Sequence, residues 1–176
     1  MMQNNMIRTY DGAVAIITGG ASGIGRALGE ALAQRGADVV LADRQADLAE
    51  GVAGAIRAKG RRASAAELDV TDFAATERLV RQTMEQNGRL DYMFNNAGIG
   101  IGGEVRYYDL KDWEQVIDVN IRGVIHGIQV AYPVMPDRAS DTLSTQHQWR
   151  VLFRFPPRSA IVLRSMRSWV CPRPFG

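Results

Sequence analysis

The segment that most limits the fold of this chain is AVAIIT at residues 13–18, running directly into GGASGIG and then into a helical pattern. A short β-branched apolar run that ends in glycines and reopens as an amphipathic helix is a βα unit. Ile24, Leu28, Ala31 and Leu32 keep the helical spacing, and Gly36 supplies a stop. The alternation then continues. Residues 37–42 (ADVVLA) read as a second buried strand, and 48–59 as a helix closed by Gly60. Residues 63–68 read as a weak third strand, because SAAEL has low β propensity. Thr71 or Asp72 caps a helix that runs through Leu79, Val80 and Met84 to Gly88. Residues 90–95 (LDYMFN) form a fourth strand, followed by NAGIGIGG. One long helix is expected over 110–134, with Trp113, Val116, Ile117, Ile121, Ile125 and Ile128 on its apolar side. Strands alternating with helices of this length imply a parallel sheet wound on both faces, with ligands at the carboxyl ends of its strands.

The glycine turn carries the first chemical signal. Backbone N–H groups at a helix N-terminus, aided by the helix dipole, favour a phosphate or pyrophosphate. In Thr18-Gly19-Gly20-Ala21-Ser22-Gly23-Ile24-Gly25, Gly19 permits the tight turn and Gly23 the close approach of a ligand. Gly25 permits close packing of helix on strand. Asp43 ends the second strand, 24 positions after Gly19. A carboxylate there accepts ribose hydroxyls and repels a 2′-phosphate, which favours NAD. Arg44 is next in the chain and can pair with that phosphate, which keeps NADP open. The alternative for these two residues is a surface Asp–Arg pair in a turn.

TGGASGIG, Asp43, Asp69-Val70, Asn95-Asn96-Ala97-Gly98 and Asn120 together resemble the short-chain dehydrogenase/reductase family over about residues 8–135. The resemblance implies a Rossmann-like fold and hydride exchange between a nicotinamide cofactor and an alcohol or carbonyl substrate. It also implies that the loop from Thr18 through Ser22, Gly23, Ile24 and Gly25 holds the cofactor phosphates. Asp69 and Val70 would lie against the adenine, and Asn96, Ala97 and Gly98 would support sheet and nucleotide. Asn120 would kink its helix and bind a water of the proton relay. Read from the residues alone, NNAG is a turn and Asn120 a hydrogen bonder inside a helix.

The family's catalytic groups are a Ser, a Tyr and a Lys four residues after the Tyr, all downstream of Asn120. This chain has no Lys after Lys111, and its only later Tyr is Tyr132. Tyr107 and Lys111 match the Tyr–Lys spacing but precede Asn120, so Tyr107 reads as a helix-entry or substrate-loop aromatic.

Composition changes sharply after Met135. Residues 136–176 hold seven Arg, no Lys, two Asp and no Glu, a local charge of +5, with five of the six prolines and one of 18 glycines. Permitted codons for 141–152, read from the third base, spell His-Ile-Val-Asn-Thr-Ala-Ser-Met-Ala-Gly-Leu. Those for 160–165 in the same shifted frame spell Tyr-Cys-Ala-Thr-Lys. The two catalytic segments thus recur in order and spacing, which points to a one-base loss close after the Met135 codon. The expected object is an incomplete dinucleotide-binding domain, 1–135, truncated after the fourth strand and its following helix. An irregular, out-of-frame tail, 136–176, would follow. The fourth strand would present an open edge. The chain would have little or no dehydrogenase activity; the alternative is a catalytically inert nucleotide-binding fragment. The 110–134 helix often packs against a partner subunit in the family, which leaves a homo-oligomer open.

The remaining signals exclude other classes. Cys171 is the only cysteine and His126 and His147 are far apart in sequence, so no metal cluster is expected. The basic tail with Trp149 and Trp169 could suggest nucleic acid, but a disordered extension explains it better, and no nucleic-acid partner is expected. The polar start and the lack of 18 consecutive apolar residues argue against a secretory signal and a membrane span. A cytoplasmic location is the expectation.

Overall fold

In the computed structural model, residues 10–135 are described, together with the backbone of 142–146 and 160–164. β1 (Val14–Thr18) is buried at all five positions, as a strand covered on both faces must be. β2 (Asp38–Asp43) pairs with one side of it and β4 (Tyr92–Asn95) with the other, both parallel. β3 (Ala63–Glu67) adds to β2 with Val39 opposite Ala63 and Asp43 opposite Glu67. Its alanine-rich sequence forms a strand because β2 offers a ladder, not because of intrinsic preference.

Side-chain alternation along β1 divides the core in two. Ala15 and Ile17 pack with Val39 and Leu41 beneath α1 (Gly23–Gln34) and α2 (Ala46–Arg57), which supply Leu32, Ala33, Val52 and Ile56. Val14 and Ile16 pack on the other face with Val40, Met93, and Leu79 and Val80 of α3 (Phe73–Asn87). Of the two expected caps, Asp72 is the one used: its Oδ1 accepts from the Ala75 amide at 3.0 Å. Gly88 closes the helix with φ +71°. Asp72→Ala is expected to cost about 1 kcal/mol, read as a lower urea midpoint with unchanged slope.

The expected single helix over 110–134 is interrupted. It consists of α4 (Leu110–Ile117), a π turn (Asp118–Arg122) and α5 (Gly123–Ala131). Asp109 and Asp112 cap α4 reciprocally, each carboxylate accepting from the other's backbone amide. Of the apolar side, Ile128 packs against the core. Val119, Gly123, Gly127 and Ala131 are buried, whereas Trp113, Ile117, Ile121 and Ile125 are exposed. Small residues face inward because the helix lies close to its neighbours: a Cβ on Gly123 would stand 2.7 Å from Val70 Cγ2.

The sheet does not stop at β4. β5 (Thr142–Gln146) pairs parallel to β4, and β6 (Ala160–Arg164) parallel to β5, giving the order β3-β2-β1-β4-β5-β6. The α/β doubly wound class and the four-stranded parallel sheet of residues 1–135 are as expected, whereas the expected open β4 edge is not seen, because β5 pairs along it. An unpaired strand edge is a template for any extended segment, and TLSTQ and AIVLR carry enough β-prone residues to use it. Outside β5 and β6, the expectation of an irregular tail over 136–176 concerns positions outside the described residues.

Candidate functional site

At the carboxyl ends of β1 and β4 two turns are bolted together. Thr18, 2% exposed, accepts at Oγ1 from the amides of Asn96 and Ala97, both at 3.0 Å, and donates to the Phe94 carbonyl at 3.3 Å. The Asn96 side-chain amide returns the contact, donating to the carbonyls of Thr18 at 3.0 Å and Gly19 at 3.3 Å. Thr18 and Asn96 therefore shape the glycine turn.

The three glycines of the turn differ in what surrounds them. Gly19 has φ +67°, and a Cβ there would lie 2.9 Å from Ala97 Cα. Gly25 faces the turn itself: a Cβ would stand 2.1 Å from the Gly19 carbonyl oxygen and 2.6 Å from Asn96 Nδ2. Helix-on-strand closeness falls instead to Gly29, whose Cβ would meet Leu41 Cδ2 at 2.6 Å. Gly29 was legible as the next inward position, one turn after Gly25. Gly23 has φ +53° and nothing within 4 Å of its missing Cβ, so its backbone is open to the cleft. The first turn of α1 carries no acidic residue and Ser22 makes no side-chain cap, so nothing competes there with an anion.

These turns border an open cleft of about 740 Å³. Gly19, Ser22, Gly23 and Ile24 line one part of it, Asp43, Arg44, Asp69 and Val70 another, and Asn96, Ala97 and Gly98 a third. Thr18, Gly25 and Asn120 lie outside the lining and act through neighbours. Gln45, Leu68, Ile99 and Val119 also line the cleft. All four adjoin motif residues in sequence, Val119 standing next to Asn120 in the π turn.

Asp43 is fixed by two backbone amides. Its Oδ2 accepts from Ala21 at 3.1 Å and its Oδ1 from Gln45 at 3.0 Å. Arg44 turns to Asp69, with Nε 3.6 Å from Oδ2. Asp69 Oδ1 accepts from the amide of Thr71 at 2.9 Å and its hydroxyl at 2.7 Å. Burial pulls the Asp69 carboxyl upward, but the two Thr71 hydrogen bonds and the Arg44 charge prevail and hold it below the ordinary value of 3.8. A depressed folded value means that Asp69 supports stability above the unfolded pKa and loses that support as pH falls through the folded one. The stability gap between wild type and Asp69→Asn is therefore expected to shrink as urea titrations move below pH 3.8.

Asn120 sits at the centre of the π turn and is engaged with one residue. Its Oδ1 accepts from the Ile99 amide and its Nδ2 donates to the Ile99 carbonyl, both at 2.9 Å. It pins the loop after β4 where that loop borders the cleft. His126 reaches the Val70 carbonyl at 2.9 Å through Nδ1 and meets Phe73 edge-on. Tyr107 is exposed in a short 3₁₀ turn (Val105–Tyr107) with the Arg106 guanidinium 5.8 Å from its ring centre. Among the described residues no group of three or more His, Cys, Asp or Glu is placed to hold a metal, and no helix is long and apolar enough to cross a membrane.

The short chain dehydrogenase family matches residues 13–142. An uncharacterized oxidoreductase of Listeria monocytogenes is 39% identical over 125 residues, covering 71% of this chain and 50% of that protein. Meso-2,3-butanediol dehydrogenase of Serratia marcescens is 36% identical over 124 residues, covering 70% and 49%. Among solved structures, a short chain dehydrogenase/reductase of Burkholderia phymatum in complex with NAD superimposes with TM-score 0.74 at 34% identity, covering 78% of this chain and 50% of that one. A blue fluorescent protein from a metagenomic library in complex with NADPH gives 0.71 at 34%, covering 79% and 57%. The chain spans about half the length of the curated relatives it matches. With a cleft walled by the glycine turn, Asp43, Asp69 and the NNAG turn, and a match over these same residues, the chain belongs to the short chain dehydrogenase family.

Proposed function

We propose that the cleft binds the adenosine and pyrophosphate portion of a nicotinamide dinucleotide, and that this polypeptide lacks the hydride-transfer chemistry of its family. The observation that carries the binding half is the convergence of Gly23, Asp43, Asp69 and the NNAG turn on one cleft. Gly23 leaves open space where a side chain would obstruct a pyrophosphate, and the α1 amides supply donors. Asp43, already oriented by Ala21 and Gln45, would accept ribose hydroxyls, which favours NAD; Arg44 is the residue that would admit NADP. Leu68, Val70 and Val119 give the cleft apolar surface for an adenine ring. Thr18, Gly19, Ser22, Ile24 and Gly25 hold the turn in shape, with Asn96, Ala97 and Gly98 opposite.

The bound nicotinamide would supply the hydride acceptor or donor for an alcohol or carbonyl substrate. The chain's own share of that chemistry is a proton donor poised near working pH, and the Ser, Tyr and Lys of the family's pattern are missing after Asn120. The family match ends at residue 142, close to the inferred one-base shift. Residues 1–135 are accordingly the nucleotide-binding unit and 136–176 an out-of-frame tail. The cellular setting that suits such a chain is the cytoplasm, and nucleic acid is not a partner.

The test is paired calorimetry and turnover on the full chain. Binding of NAD without oxidation of a panel of secondary alcohols is the expected result. Turnover by a product of confirmed 176-residue mass would overturn the inactive reading, and absence of binding would overturn the cofactor reading. Resequencing across the Met135 codon completes the test: an extra base there, encoding Ser…Tyr-x-x-x-Lys, restores the family's catalytic set.

A further inference from the structure

Arg44 and Asp69 line the main cleft, and both also line an adjoining groove of about 490 Å³, so their ion pair stands on the border between the two. The two carboxylates beside Arg44 are held differently from the cation. Asp43 is fixed by two backbone amides and Asp69 by the amide and hydroxyl of Thr71. Asp69 thereby keeps one oxygen for Thr71 and turns the other to Arg44 Nε. Arg44 itself has a long, exposed side chain and is ion-paired with Asp69. A guanidinium in this position is the natural counter-charge for a phosphate on the adenosine ribose.

We infer that Asp69 is a specificity-determining positioning residue: by holding Arg44 at the groove border it withholds the guanidinium from a ribose 2′-phosphate and keeps the cleft selective for the unphosphorylated nucleotide. The inference rests on the dinucleotide reading above and adds to it a control on which dinucleotide is taken. Asp43 repels the phosphate directly, whereas Asp69 acts through Arg44.

The experiment uses 5′-AMP and 2′,5′-ADP as probes, which need only the adenosine half of the cleft and no turnover. Their dissociation constants are measured calorimetrically on the full chain, Asp69→Asn, Arg44→Ala and the double variant. Wild type is expected to prefer 5′-AMP. Asp69→Asn should shift the ratio toward 2′,5′-ADP by about two- to fivefold, the range set by an exposed ion pair. In the Arg44→Ala background the same substitution should shift it less than twofold. Arg44→Ala alone should change 2′,5′-ADP binding less than it does beside Asn at position 69. An equal shift in both backgrounds would show that Asp69 acts by its own charge, and an unchanged ratio would show no control at all; either overturns the inference while the cofactor reading survives. If neither probe binds wild type, both fall.

Discussion

Gly25→Ala is expected to abolish nucleotide binding and to destabilise the fold by about 3 kcal/mol, the upper part of the usual overpacking range. The added carbon would sit 2.1 Å from the Gly19 carbonyl oxygen and 2.6 Å from Asn96 Nδ2. Neither neighbour is the loose end of a flexible side chain. The carbonyl belongs to a turn at φ +67°, and the Asn96 amide is committed to the carbonyls of Thr18 and Gly19. Relief therefore requires the start of α1 to move off β1, which also displaces the first-turn amides from the cleft. Gly51→Ala is the control. That position lies inside α2 with nothing within 4 Å, so the substitution should stabilise by about 0.5–1 kcal/mol through helix propensity alone. Denaturant midpoints of the two variants moving in the same direction would refute the close contact at Gly25.

Thr18→Val is the second large effect, and it changes almost no volume. The hydroxyl accepts from two amides and donates to one carbonyl at a position 2% exposed. Valine leaves the amides of Asn96 and Ala97 without that acceptor in a partly buried turn. The Asn96 amide keeps the Phe94 carbonyl at 3.0 Å, so the expected loss is that of the hydroxyl's own hydrogen bonds, about 2 kcal/mol. The glycine turn and the NNAG turn would separate, and nucleotide affinity should fall with stability. Thr18→Ser keeps the hydroxyl and should recover most of both. A Val variant as stable as the Ser variant would mean that the two turns are held by packing alone.

Much of this arrangement was readable without coordinates. β1, β2 and β4 were visible as apolar runs because burial on both faces demands continuous hydrophobic sequence. α1 to α3 were visible from their spacing and from stops at Gly36, Gly60 and Gly88, all at positive φ. The glycine turn of the cleft was visible because a phosphate-type turn requires glycine at particular positions, while Asp69, Val70 and Asn96–Gly98 came from the family resemblance. Harder to see were the places where one segment answers to another. β3 exists because β2 offers it a ladder. The 110–134 segment reads as one helix from its apolar repeat, and only the family resemblance places a kink at Asn120. Its break at Asp118–Arg122 accompanies the bonding of Asn120 to Ile99, 21 residues away. Size, not hydrophobicity, decides which side of the segment fits against Val70 and Asn95.

The extension of the sheet by β5 and β6 belongs with these cases. A parallel ladder is made of backbone groups, which any segment of adequate β propensity supplies whatever its other side chains. Sequence alone therefore determined the βα alternation and the phosphate-type turn, because each is a property of local residue types. Tertiary structure alone decided that Arg44 pairs with Asp69, that Thr18 joins two turns 78 residues apart, and where the sheet ends. Those outcomes depend on which groups meet across the fold, and meeting is governed by packing and by pairing of backbone polar groups, which no single segment specifies.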